Sequence, residues 1–243
     1  MSRRTGFACV LLAGIALAAS GCESTQSKSA KLEAEGGKLA KVEKIKIGAA
    51  NKSIDLVGRY MFTDQYGTAI VLKLKNESGQ GQADIPIGIV ARDKKGKPVY
   101  RNNIEGLEDG LLGLGLIGPG ATEYWVNDQV LATGKPASFD VEIGTAEGKY
   151  PAKVPELAVS PPKLQNDTVS GLFVSGEVLN KSDVEQVDLL LYAVATKGGK
   201  VVAAGRGLIP KLKTDGKPEP YRIYFIGDPT NAKIEVFAPP TTY

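Results

Sequence analysis

The sequence predicts an all-β protein built as two β-sandwiches in tandem, set behind an N-terminal segment of another kind. Three observations carry this. Short apolar stretches of strand length are bounded by turn residues, and no long segment repeats with a helical period. The same series of strands and turns occurs twice, in the same order. The chain beyond the N-terminal segment, roughly 200 residues, is long enough for one or two hydrophobic cores.

The N-terminal segment comes first. Ser2-Arg3-Arg4-Thr5-Gly6 is basic, and Phe7 to Ala19 is an apolar run of 13 residues. That is the plan of a secretory signal. The run is too short to cross a bilayer as a helix, which takes about 20 residues. Small residues then lead to a cysteine in Ala19-Ser20-Gly21-Cys22. The stretch resembles the bacterial lipobox, with Ala19 where Leu is commoner. The resemblance implies a lipoprotein signal over 1–21. It also implies that Cys22 becomes the mature N-terminus, carrying a diacylglyceryl thioether and further acyl chains such as palmitate. Two or more chains anchor stably, whereas one binds marginally. The alternative is an ordinary signal peptide cleaved near Ala18 or Ala19, which leaves Cys22 a free thiol.

Residues 22–44 are expected to be a lipid-anchored flexible tether, rich in Ser, Lys, Glu, Ala and Gly and containing Gly36-Gly37. Its lysines (Lys28, Lys31, Lys38, Lys41 and Lys44) are offset by Glu23, Glu33, Glu35 and Glu43, which describes a solvated spacer more than a headgroup-binding patch. The chain has two cysteines, and Cys9 lies in the signal. With Cys22 acylated no disulfide is available, so an exported protein must rest on its core. The formal net charge is +3; without Arg3 and Arg4 the count is 28 basic against 27 acidic residues. No basic face is visible, and nucleic acid is excluded as a partner.

The first unit is expected over 45–146. Ala69 to Lys75 is a strand ending in the turn Asn76-Glu77-Ser78-Gly79. Ile85 to Ala91 runs into the hairpin signal Asp93-Lys94-Lys95-Gly96-Lys97. Thr122 to Val126 and Ser138 to Ile143 are further strands. The second unit, 157–243, repeats the series. Leu172 to Leu179 ends in Asn180-Lys181-Ser182, and Val187 to Ala195 runs into Lys197-Gly198-Gly199-Lys200. Tyr221 to Asp228 parallels Glu123 to Asp128, and Ala232 to Val236 parallels Ala137 to Val141. The offsets are 104, 103, 100 and 95 residues, as one unit would give twice with shorter loops in the second copy. Residues 147–156, with Gly148, Pro151 and Pro155, are the expected linker between two sandwiches in line.

Asn180, Ser182, Leu191, Tyr192, Gly199 and Phe225 carry a resemblance. The second unit resembles the FxLYD domain of uncharacterised bacterial surface lipoproteins. Its marks are an Asn-x-Ser turn after a strand, an apolar strand ending in Leu-Tyr, a Gly-turn hairpin and a late aromatic strand. Leu189 stands for the motif Phe and Ala193 for the motif Asp; the first unit is a more remote copy. The resemblance implies an Ig-like fold, so the full expectation is two tandem Ig-like or fibronectin-like sandwiches. It brings no catalytic residues. The Cys-Trp-Cys framework of antibody domains is absent.

The chain contains no His. That removes His-based triads, His general acid–base work and His metal ligands, and the missing thiol removes Cys nucleophiles and Cys-ligated zinc. Carboxylate and Ser–Lys mechanisms survive. Gly113-Leu114-Gly115-Leu116-Ile117-Gly118 matches GxGxxG, but Pro119-Gly120 breaks the helix a dinucleotide site needs. The wider stretch Gly106 to Gly120 is apolar and glycine-rich. Leu111, Leu112, Leu114, Leu116 and Ile117 either belong to a buried connecting strand or form an exposed loop that docks on a partner or the bilayer. Glu105, Glu108 and Asp109 form an acidic cluster before it: a solvated loop, a carboxylate pair for glycoside hydrolysis, or calcium ligands. Asp128 and Asp228 are expected to share a turn role. Trp125, Tyr124, Tyr221 and Tyr224 either pack in the strands or, where exposed, form a carbohydrate platform.

These readings predict no enzyme, no cofactor and no metal. The expected function is an exported lipoprotein, held to a bacterial membrane by its lipid, that binds or scaffolds another envelope component, most simply a protein. The alternative is a lipoprotein for a small ligand or glycan, associated with a transporter, which a pocket between the two units would favour.

Overall fold

The computed structural model describes residues 47–102 and 107–243. The signal, the tether and Cys22 lie outside the described residues, as do Glu105 and Gly106.

The N-terminal half contains β1 (Ile54–Asp64), β2 (Gly67–Asn76), β3 (Gln82–Arg92), β4 (Pro98–Arg101), the single helical turn α1 (Asp109–Leu112), β5 (Gly113–Ile117), β6 (Thr122–Asn127) and β7 (Ser138–Ile143). They make two antiparallel sheets. One has the order β1-β2-β6. In the other, β3 carries β4 and β5 on one edge and β7 on the other. The C-terminal half contains β8 (Leu157–Val159), β9 (Lys163–Asp167), β10 (Gly171–Asn180), β11 (Gln186–Lys197), β12 (Lys200–Leu212), β13 (Glu219–Tyr224), β14 (Ile226–Gly227) and β15 (Lys233–Phe237). Its sheets are β13-β10-β8, with β9 also on β10, and β14-β12-β11-β15. The protein is therefore all-β, with antiparallel sheets packed as β-sandwiches.

Each pair of sheets encloses a core. In the first, Ile70, Leu72 and Leu74 of β2 meet Ile85, Ile87 and Ile89 of β3, with Trp125 between. In the second, Val174 and Val178 of β10 meet Leu189, Leu191, Ala193 and Ala195 of β11. A third apolar cluster joins the halves: Val71 and Val126 pack against Tyr192, Val194, Val201 and Ala204. Alternate residues of a strand point to opposite faces. Val71 is therefore turned away from the core that Ile70 and Leu72 enter, and Tyr192 and Val194 away from the core of Leu191 and Ala193. β2 and β11 are apolar on both faces. The four sheets stack as four layers with three apolar seams.

This corrects the expectation of sandwiches in line. A sandwich in line with its neighbour turns its outer faces to water, and the outer faces of β2 and β11 are too apolar for that. The expected linker is also fastened at both ends. Glu147 and Gly148 donate backbone hydrogen bonds to Asp84 and Ala83 of β3, and Glu156 accepts one from Lys181.

The two halves repeat in hydrogen-bond detail. Asn76 Oδ1 accepts from Ser78 N and Oγ at 3.0 and 2.7 Å, and its Nδ2 donates to Gln80 O and Gly118 O at 2.7 and 3.0 Å. Asn180, 104 residues on, accepts from Ser182 N and Oγ at 3.0 and 2.8 Å and donates to Val184 O and Leu212 O at 2.8 and 3.4 Å. Each Asn ties the turn after its strand to the end of a strand in the opposite sheet. Asp84 and Asp188, again 104 apart, have φ of 52° and 49° and interrupt the pairing of their strands without shifting its register, so both halves carry the same local irregularity. Asp is among the few side chains that tolerate this left-handed conformation.

The halves differ at one place. Val90 pairs with Arg101 and Val194 with Ala204, an offset of 103 between Arg101 and Ala204; Pro86 pairs with Gly113 and Leu190 with Leu208, an offset of 95. The first half thus carries eight extra residues between β4 and β5, where the second half runs on as β12.

Replacing Asn180 with Ala leaves two carbonyls and two donors at Ser182 without their partner. It should lower stability by about 2 kcal/mol in urea melts, with the same sign for Asn76→Ala. An unchanged midpoint for both would show that water replaces the side chain and that the turns do not depend on it.

Candidate functional site

The extra residues of the first half lead to the seam between the halves. Asn102, fully buried, donates to Ile87 O at 2.8 Å and Leu111 O at 2.6 Å and accepts from Ile89 N. Trp125 Nε1 donates to Gly110 O at 2.9 Å. Gly110 lies against the second half; a Cβ there would stand 2.0 Å from Leu190 Cδ1, so no larger residue fits without a shift. Leu111, Leu114, Leu116 and Ile117 are buried and Leu112 is half-buried. Of the two readings of these residues, the exposed docking loop is therefore corrected: Leu114 and Ile117 join the first core, and Leu111 and Leu116 are buried beside it. Gly113 to Ile117 is β5, and a Pro119-Gly120 turn follows it, so the GxGxxG spacing has no helix to open.

Glu108 and Asp109, expected as part of an acidic cluster, separate in role. Asp109 begins α1 and is exposed. Glu108 reaches across to the second half, where its Oε2 accepts from Arg206 Nη2 at 3.1 Å. Arg206 stands on β12 opposite Tyr192, with its side chain 4% exposed. Its backbone N donates to Asp128 Oδ2 at 2.9 Å, and its Nη1 lies 4.0 Å from Asp128 Oδ1. Among the described residues, Asp128 Oδ1, Arg206 Nε and Arg206 Nη1 are buried without a hydrogen-bond partner. Unsatisfied buried polar atoms are uncommon, and three at one ion pair mark this as the least settled point of the interior.

The surroundings are low in dielectric. Burial raises the Asp128 carboxyl pKa, opposed by the Arg206 charge and its backbone N–H. Tyr100, whose hydroxyl accepts from Asn127 Nδ2 at 2.8 Å, is pushed up to about 12 by burial. Tyr192 is raised for the same reason. Two further polar links cross between the halves: Gly227 N donates to Asp64 Oδ2 at 2.8 Å, and Tyr243 OH to Asp84 Oδ1 at 3.3 Å.

The expected match between Asp128 and Asp228 is corrected by the strand registers. Leu72 pairs with Trp125 and Gly176 with Tyr221, so Trp125 corresponds to Tyr221 and Asp128 falls opposite Tyr224 in the alignment of the halves. Asp228 does make a turn bond, accepting from Thr230 N at 2.9 Å, and the Thr230 side chain together with this N–H lowers its pKa. In the first half Asn127 makes the equivalent bond, accepting from Gln129 N at 3.0 Å. Asp128 is left free to face Arg206.

Beside the ion pair a groove of about 1450 Å³ runs between the halves. The first half contributes Thr68, Glu108, Asp128 and Gln129; the second contributes Arg206, Leu208 and the outer face of β9, β10 and β13. Of the two readings of the aromatic residues, packing in the strands holds for three of the four. Trp125 and Tyr221 are buried, and Tyr124 packs on Phe237 with ring centroids 5.6 Å apart. Tyr224 alone of the four presents a partly exposed ring to the groove; it tilts against Phe173 at 5.2 Å, and Arg222 covers Phe173 at 4.7 Å.

Sequence reasoning did not reach Arg206. Its signal was present: one charge, flanked by Gly205 and Gly207, in the otherwise apolar run Val201 to Ile209. Among the described residues no three His, Cys, Asp or Glu side chains converge as metal ligands do. No protein-family model matches the chain, and no curated protein matches it.

Removing Arg206 alone strands a buried carboxylate. Arg206→Met should cost about 3–5 kcal/mol, while Arg206→Met with Asp128→Leu should recover most of it. Equal losses in the single and double variants would show that Asp128 does not need the guanidinium. Because the fold holds the Asp128 pKa above its unfolded value, ionised Asp128 lowers stability at neutral pH. The penalty is relieved as pH falls through the folded pKa. The stability of the protein relative to Asp128→Asn should therefore rise as the solution is acidified through the carboxylate range. A difference in melts that stays flat or falls would mean that Arg206, and not burial, governs this carboxyl.

Proposed function

We propose that this protein is an exported bacterial lipoprotein, anchored through Cys22, whose two Ig-like sandwiches form one non-enzymatic binding module. It holds a component of the cell envelope in the groove beside Arg206. The observation that carries the reading is the groove itself: a recess of about 1450 Å³ lies where the two halves meet, against a buried and incompletely paired Arg206 and Asp128. The Ala19-Ser20-Gly21-Cys22 context, the FxLYD resemblance of the second half and the repeated Asn-x-Ser turn support the rest. The absence of His from the sequence keeps the reading away from the commonest acid–base chemistry.

Two measurements test it. Cells fed an alkyne-tagged palmitate should label the protein, and Cys22→Ser should lose both the label and the membrane fraction. Retention of the label would end the lipid-anchor reading. A photo-crosslinking side chain at Gln129, on the groove, should capture an envelope component that the same group at Lys94, in the exposed β3–β4 turn, does not. Equal capture from both positions would remove the groove as the binding surface.

A further inference from the structure

The chemistry of the groove specifies what it takes, on the reading that it is the binding surface. The three buried atoms without partners are of both kinds. Asp128 Oδ1 lacks a donor, and Arg206 Nε and Nη1 lack an acceptor. A carboxylate or phosphate accepts only: it would suit the guanidinium and be repelled by Asp128. An ammonium donates only, with the opposite fault. A hydroxyl does both from one oxygen.

The rest of the lining has the same double character. Lys163 and Arg222 are matched by Asp167 and Glu177, and Arg206 by Asp128 and Glu108, so no single sign of charge dominates. Ser160 Oγ accepts from Glu177 N at 2.8 Å, and Ser175 Oγ accepts from Gln165 Nε2 at 2.6 Å. Both hydroxyls keep a proton to donate. Pro161, Pro210 and Pro220 with Leu208, 47% exposed, supply flat apolar surface between the polar groups. A sugar ring offers this combination, with hydroxyls at its rim and C–H faces between them. At about 1450 Å³ the groove exceeds the roughly 300–1,000 Å³ of small-molecule sites, which leaves room for more than one ring.

We infer that the groove binds a neutral, hydroxyl-rich oligosaccharide. One sugar hydroxyl lies toward the Asp128–Arg206 pair, and the chain continues over Ser175 and Tyr224.

The experiment is calorimetric titration of the full chain in detergent with cellohexaose, chitohexaose and mannohexaose, alongside a hexamer of galacturonate. Ser175→Trp fills the groove from an outward-facing strand position and leaves Arg206 and Asp128 in place, so it tests the site without unfolding the seam. The inference expects at least one neutral hexasaccharide to bind with Kd of about 1 mM or tighter, and Ser175→Trp to weaken it by at least about tenfold with an unchanged melting temperature. Binding of the galacturonate hexamer alone overturns the neutral ligand and keeps the groove. Neutral sugars that bind Ser175→Trp equally well overturn the groove as their site. No binding by any neutral probe overturns the inference, while capture at Gln129 decides separately whether the groove holds some other partner.

Discussion

A strand that is apolar on both faces cannot lie on the outside of a sandwich, and everything in this molecule follows from having two such strands. β2 sends Ile70, Leu72 and Leu74 into one core and Val71 into the seam; β11 sends Leu189 and Leu191 into the other core and Tyr192 and Val194 into the same seam. Fully burying a Val, Leu or Ile is worth roughly 1.5–3 kcal/mol. Turning the outer face of either strand to water would forfeit several such terms. Stacking the halves face to face recovers them and makes the central seam a third core. Without a disulfide among the described residues, this third layer of contact does the work that covalent staples do in smaller exported domains.

Much of this was legible. The strands from Ala69, Ile85, Thr122, Ser138, Leu172 and Val187 stand where the sequence put them, and the Asn-x-Ser turns that mark the repeat make the same bonds in both halves. The stacking was written in Ala69-Ile70-Val71-Leu72 and in Leu189 to Ala195, which are continuous apolar runs and therefore signatures of strands covered on both sides. The expectation of halves in line came from the duplication and the Gly148, Pro151 and Pro155 of the expected linker, and passed over these runs. β1 gave no clear signal because a bulge at Val57, between Leu56 and Gly58, puts its apolar residues out of step. The stretch Gly106 to Gly120 left two readings open for a different reason. Leucine among glycines describes equally a loop seeking a partner and a segment already packed, and only Asn102, Trp125 and the approach of Gly110 to Leu190 decide for the second.

The site was less legible than the fold because it is made of residues far apart in sequence. Asp128 looks like a turn residue and belongs to the first half; Arg206 is 78 residues on, and only the stacking joins them. No local spacing announces such a pair.

A buried Arg and Asp are a costly way to join two apolar faces, since desolvation opposes the attraction and a hydrophobic pair of similar volume would hold the halves as well or better. What the charges add is geometry. An apolar seam between flat sheets tolerates sliding, whereas an Arg206 N–H on Asp128 Oδ2, with Glu108 on the far side of the guanidinium, fixes one register of the halves and so the width of the groove between them. The pair spends only part of its hydrogen-bonding capacity on this. Asp128 Oδ1 and two guanidinium nitrogens remain, buried beneath the wall of the groove that these two residues line. Burying unmet donors and acceptors there costs stability that a purely structural contact has no reason to forgo, and that cost is the physical ground on which the proposed binding is assigned to this end of the seam and not to the exposed strand edges.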